Sequence, residues 1–249
     1  MKKVMLLLLI IIATSCTSML LNSALKDIGA FDDKVTMDSL SNGEKEVAFI
    51  NMHHVGREEF YRDAAFKIDS LQNLDYMVFY ESVIEEKNTD SIVKDHNERK
   101  IRKILGFIPE EHLDTVNNRL FGKYKYSGTY DLINQPDYHR MNVDTTTAVK
   151  ADVSLNTLIE AFEKKHAQIE LNNCDMDLSL SSTSYNCERA SKSVQKAFMD
   201  EFIMDFRNAH LAKLIHHQKR PKIAVIFGKA HLSGMVVELR KLDSNWAYK

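Results

Sequence analysis

Three short stretches of this chain are apolar without a break: Val47-Ala48-Phe49-Ile50, Tyr76-Met77-Val78-Phe79-Tyr80, and Ile223-Ala224-Val225-Ile226-Phe227 behind Lys222. A run of this kind has no polar face to turn to water. Each therefore reads as a strand buried on both sides, as in a parallel sheet covered by helices. Between the first two runs, Phe60, Ala64, Ile68 and Leu71 recur at spacings of four, four and three, which predicts a helix from Glu58 to Leu74. Strand, helix and strand within about thirty residues have the size of a βαβ unit. The two strands are then expected to be parallel, with their carboxyl ends on one edge. With only 3 Pro and 8 Gly in 249 residues, a turn-dense all-β sandwich is excluded. The expected class is α/β, a mostly parallel sheet core with long helical insertions.

The rest of the chain is mainly helical in pattern. Asp90 to Leu105 and Glu110 to Phe121 read as helices separated by Gly106 and Pro109, and Lys123 to Asp144 reads as irregular. Ser154 is placed to cap a helix running to about Leu171. Glu188 to His217 is the longest helical pattern, with Phe198, Phe202, Phe206 and Ala209 on one stripe and Pro221 beyond its end. A short helix through Met235 to Leu242 and an edge strand at Trp246–Tyr248 finish the chain. No repeat and no linker divides residues 45–249, so they are expected to form one domain.

The first residues read as a targeting segment. Lys2 and Lys3 precede an apolar run from Val4 to Ala13, and Thr14, Ser15 and Cys16 follow. Ten residues of helix span about 15 Å, half of a bilayer core, so the run reads as the core of a signal peptide and not as a membrane span. Small residues ahead of a lone Cys resemble a bacterial lipobox, with Ala13 where Leu is more usual. That implies a signal peptide over 1–15, a lipid on Cys16, a tether over 16–44 and a place in the cell envelope. A secreted protein with an incidental Cys is the alternative. In an oxidising envelope Cys174 and Cys187 can pair across the Ser-rich stretch Leu178–Asn186; two free thiols remain the other possibility. The net charge is −2 with both signs interspersed, which argues against a nucleic-acid partner.

Groups able to do chemistry follow each apolar run: Asn51-Met52-His53-His54-Val55-Gly56 after the first, Glu81 after the second, and Gly228-Lys229-Ala230-His231-Leu232-Ser233-Gly234 after the third. Open parallel sheets bind ligands at the carboxyl edge of their strands. Two imidazoles and a carboxylate there suit zinc or manganese, and equally suit metal-free acid–base work. Each also has a plain structural reading: a His may cap the next helix, and Glu81 may form a salt bridge. His53 is expected to be the bystander of its pair. His216 and His217 are expected to lie at a solvated helix end. Surface salt bridging is the default for Arg207-Asn208.

These motifs, in this order, resemble the TraB/PrgY/GumN group, which includes the Tiki proteases and is related more distantly to the erythromycin-esterase and ChaN-like folds. That group has GxxH after its first strand, a Glu after the next, Arg-Asn or Arg-Asp in a late helix, and a second GxxH near the end. Here the second motif is Gly228-Lys229-Ala230-His231, the helix carries Arg207-Asn208-Ala209-His210-Leu211-Ala212, and the Glu is Glu81. Asn51 stands where the family has Gly, with His54 at the family His. The resemblance implies an α/β fold with both His motifs lining one crevice. It implies a metal-dependent hydrolase of peptide or small acyl bonds, with zinc, manganese or cobalt held by His54, Glu81 and His231. Glu81 could instead be the base; Arg207 would hold a substrate carboxylate or an oxyanion, and Asn208 would orient a ligand. A non-catalytic ligand-binding lipoprotein and a metal-free His/Glu esterase-like enzyme are the rivals. Neither HExxH nor GxSxG occurs.

Overall fold

The three apolar runs lie side by side at the centre of one sheet. The computed structural model describes residues 21–84, 86–107, 112–114, 116–117, 119–120, 124–125, 131–182 and 184–249. The expected signal peptide and Cys16 fall outside these residues. The central sheet contains β1 (Met37–Ser41), β2 (Glu46–Met52), β4 (Met77–Tyr80), β9 (Val149–Lys150), β10 (Lys222–Gly228) and β11 (Ala247–Tyr248), in the order β11-β1-β2-β10-β4-β9. β10 pairs in parallel with both β2 and β4, and β4 with β9. β1 runs antiparallel to β2 and to β11. The fold is α/β, with a mixed, mostly parallel sheet.

Helices on both faces explain why the strands are apolar throughout. Val47, Phe49, Phe79, Val225 and Phe227 pack with Leu211, Ala212 and Ile215 of α6 (Arg207–His217), and with Met235, Val236 and Leu239 of α7 (His231–Leu242). Their neighbours Ala48, Ile50, Val78, Ala224 and Ile226 face the other way, onto Phe60, Ala64, Ile68 and Leu71 of α1 (Glu58–Asn73). The twofold period of a strand feeds two cores at once. Each large apolar side chain so buried contributes about 1.5–3 kcal/mol.

A third cluster joins α2 (Ser91–Leu105), α3 (Leu155–Lys165) and a π-helix over Phe198–Phe206 through Ile101, Ile104, Leu158, Phe162, Phe198 and Phe202. Asp90 and Ser154 cap α2 and α3 by accepting from backbone N–H groups of their first turns. Cys174, in the short α4 (Asn173–Asp177), is joined to Cys187 as a disulfide. Among the described residues, no helix is long and apolar enough to cross a membrane.

Four expectations are corrected. The tether over 16–44 does not hold for its described part: Leu25, Ala30 and Val35 are buried, and β1 belongs to the central sheet. Among the described residues of 110–121 no helix is formed. Its place holds β5 (Leu113–Asp114) and β6 (Arg119–Leu120), which pair antiparallel around a turn, with β7 (Tyr124–Lys125) added beside β6. Asp114 Oδ1 accepts from the N–H groups of Val116 and Asn117, and this local turn competes with helix. The helix capped by Ser154 stops at Lys165, where the His166 ring stacks on Phe162 at 4.8 Å. The pattern from Glu188 to His217 begins at Lys192, capped by Ser191, and passes through α5 (Lys192–Ala197) and the π-helix before α6.

Candidate functional site

All four parallel strands end on one edge, and each delivers a polar group there: β2 leads to His54, β4 to Glu81, β10 to the Gly228–His231 turn, and β9 to Asp152. Glu81 is held first by its backbone, whose N–H donates to Ile226 O at 3.0 Å. Its carboxylate is then divided. Oε1 accepts from Arg207 Nη2 at 2.5 Å, and Oε2 accepts from the Gly228 N–H at 2.6 Å. A Cβ on residue 228 would sit 3.4 Å from Oε2, an ordinary van der Waals contact. Arg207 also donates from Nε and Nη2 to the two oxygens of Asp152, at 2.9 and 2.7 Å. Asp152 accepts in addition from the N–H groups of Ser82 and Val153. Glu81, Asp152 and Arg207 are all buried, so surface salt bridging is corrected to an interior ion-pair cluster.

Electrostatics follow from this packing. Burial pushes the Glu81 carboxyl up, but Arg207, His54, His231 and the Gly228 N–H overcome it and hold it down at about 2. Burial opposes the Arg207 charge, and Glu81 and Asp152 more than restore it, so its pKa is raised. His231 opens α7 and is 5% exposed. Burial, with Arg207 nearby, drives its pKa down to about 4, so the ring is neutral near pH 7. Its Nδ1 lies 2.8 Å from Asn208 Oδ1, which as the acceptor places the proton on Nδ1. Nε2 then carries a lone pair and stands 3.8 Å from Glu81 Oε1.

His54 is the exposed member of the set. Its ring stacks on His112 with centroids 4.4 Å apart, and its carbonyl accepts from the Gln135 N–H at 2.9 Å. It bears on the charges of Glu81 and His231 as a near neighbour. His53 turns onto Phe60 at 4.9 Å, the bystander position expected of it. His216 and His217 occupy the last turn of α6. Asn51 is buried and donates from Nδ2 to Thr36 Oγ1 and Asp38 Oδ2, tying β2 to β1.

Two groups at the site escaped the sequence reading. Asp152 follows a two-residue strand, too short to stand out as a run. Tyr138 lies in the segment read as irregular. Its ring packs on Tyr80 with centroids 4.7 Å apart. Burial raises its pKa, with Glu81 and Asp152 adding to the effect; its hydroxyl hydrogen-bonds Gln135. The antiparallel pair β3 (Val55–Arg57) and β8 (Leu132–Asn134) fixes this segment against the His54 turn.

The donor types suit a divalent ion, but the Arg207 charge beside Glu81 weighs against one. Each Glu81 oxygen accepts one hydrogen bond, and a guanidinium lies against Oε1. Among the described residues, no group of three or more His, Cys, Asp or Glu side chains is placed to hold a metal. A groove of about 580 Å³ over Phe202, Phe206, Ala209 and Val237 includes none of His54, Glu81 or His231. Compared with protein-family models, with curated proteins and with solved structures, the chain finds no match.

Proposed function

We propose that this chain is an envelope-anchored hydrolase of the TraB/PrgY/GumN type, cleaving a peptide or small acyl bond at the His231–Glu81 edge, with a lipid on Cys16 as its anchor. One observation carries the reading: two acceptors, His231 Nε2 and Glu81 Oε1, stand 3.8 Å apart. One water can lie about 2.8 Å from both and donate one hydrogen to each. His231 is the stronger base of the two, about 4 against about 2. It takes the proton as the water oxygen adds to the substrate carbonyl carbon, and the Glu81 charge steadies the imidazolium. The proton then passes to the leaving amine or alcohol as its bond to carbon breaks. Tyr138, kept as a phenol, donates to the carbonyl oxygen as charge develops on it. Arg207 keeps Glu81 ionised and in place. The order of the motifs supports the family, and the run before Cys16 supports the anchor.

A metal-dependent form, with His54, Glu81 and His231 around zinc, manganese or cobalt, is set second. It rests on the Asn208–His231 bond, the outer contact that metal-binding histidines commonly carry. Purified protein assayed on peptide and ester panels, with elemental analysis, separates the readings. The expected result is turnover that survives chelator and falls by about 100-fold or more in His231→Ala. Stoichiometric metal with chelator-sensitive turnover would move the site to the metal-dependent form. Retained ligand with no His231-dependent turnover would make it a binding lipoprotein.

A further inference from the structure

We propose that Gly234 is a positioning residue of the site: the absence of a side chain there seats Asn208, and Asn208 decides which nitrogen of His231 carries the proton. The inference rests on the reading that His231 Nε2 is the working nitrogen.

Gly234 lies inside α7, three residues after His231. Glycine weakens a helix interior relative to alanine, so its presence needs a local cause. Backbone conformation is not that cause, because Gly234 is not among the positive-φ glycines. The cause is close approach. A Cβ on residue 234 would lie 2.0 Å from Asn208 Nδ2 and 2.9 Å from its Cγ. No rotamer adjustment of a few tenths of an ångström absorbs such an overlap. The Asn208 side chain is 2% exposed, and its oxygen is the atom that meets His231 Nδ1 at 2.8 Å.

The direction of that amide sets the chemistry. With Oδ1 toward the ring, Nδ1 is protonated and Nε2 is an acceptor facing Glu81 Oε1. With the amide reversed, Nδ2 would donate to Nδ1 and the ring proton would move to Nε2. The edge would then present one donor and one acceptor, and no longer two acceptors for one water. A methyl group at 234 displaces the amide from the contact that holds the first arrangement. Gly234 therefore acts on His231 through Asn208 and needs no contact with substrate.

The test reads the tautomer directly and needs no turnover. Full-length chain with 15N-labelled histidine is examined by long-range proton–nitrogen correlation, for wild type, Gly234→Ala, Asn208→Ala and the double variant. In wild type, His231 should carry its proton on Nδ1 with a roughly tenfold preference, the worth of one buried hydrogen bond. Gly234→Ala should lose that preference to the same extent as Asn208→Ala. The double variant should match Asn208→Ala in tautomer and melt no lower than it, because the methyl then enters the space the amide has left and alanine favours the helix. A wild-type proton on Nε2 overturns the proposal, as does a folded Gly234→Ala with an unchanged tautomer. Where Gly234→Ala fails to fold, the double variant decides: melting no lower than Asn208→Ala supports the proposal, and failing like Gly234→Ala overturns it. Absence of turnover in any assay leaves these outcomes intact, so the hydrolase reading and this inference fail separately.

Discussion

At the scale of single residues, the centre of the molecule's chemistry is an ion cluster with more negative than positive charge. Arg207 serves two buried carboxylates, Glu81 and Asp152. Removing one member of a buried ionic group is costly because the partners stay desolvated. Arg207→Ala should therefore lose about 3–5 kcal/mol of stability in urea titration; a loss of a few tenths would show that the cluster is solvated. Three histidines, His231 buried and His53 and His112 half-buried, set the pH response. His53 and His231 are each held down to about 4, and His112 to about 3, against 6.5 for a free ring, first of all by burial. Below pH 6.5 the unfolded chain takes up protons that the folded chain refuses. Their contribution to stability is thus complete above 6.5 and falls away as the pH drops toward 4. Urea midpoints should decline steadily across that window, and a flat profile would contradict the burial of these rings.

At the scale of elements, a π-helix and a disulfide-closed segment hold polar groups in place. The π-helix Phe198–Phe206 keeps Phe198 and Phe202 stacked, with Phe162 edge-on to both at 5.2 Å. A four-residue aromatic repeat overruns the 3.6-residue turn of an α-helix, and the wider turn accommodates it. The next two residues, Arg207 and Asn208, then both enter the interior. The second element is the disulfide segment. Arg99 and Arg102 of α2 donate to the carbonyls of Asp175, Leu178 and Ser179, and Lys103 pairs with Asp175. The bond between Cys174 and Cys187 closes a loop with a sequence separation of 13 and keeps these carbonyls over the arginines. Reduction, or Cys187→Ser, should cost about 3 kcal/mol. Trp246 is the single tryptophan and is buried in the main core, so its fluorescence reports the shift in the urea midpoint.

At the scale of the whole molecule, the sheet places the site, and the proposed anchor concerns where the protein resides. The proposed anchor predicts that Cys16→Ser leaves the membrane fraction, while wild type stays and carries acyl mass on its N-terminal peptide. Two or more acyl chains suffice for stable attachment at about 0.8 kcal/mol per buried methylene. Wild type recovered wholly in the aqueous fraction, with no acyl mass, would sink the anchor.

The residues alone were enough for the strands at 47–50, 76–80 and 223–227, for the helix after the first of them, for the cap at Ser154, and for the common edge that His54, Glu81 and His231 share. Those features are written in local periodicity and in the side chains that begin a helix. Tertiary structure alone decided that β10 lies between β2 and β4, and that a two-residue strand brings in Asp152. It also turned Arg207 from a surface residue into the buried partner of a carboxylate 126 positions away. Pairings over such distances depend on how layers stack around a shared core, which no local pattern encodes. The single turn of 3-10 helix over Tyr138–Met141 that sets Tyr138 by Glu81 and the glycine that seats Asn208 are of the same kind: each depends on what lies opposite, and only the folded chain supplies it.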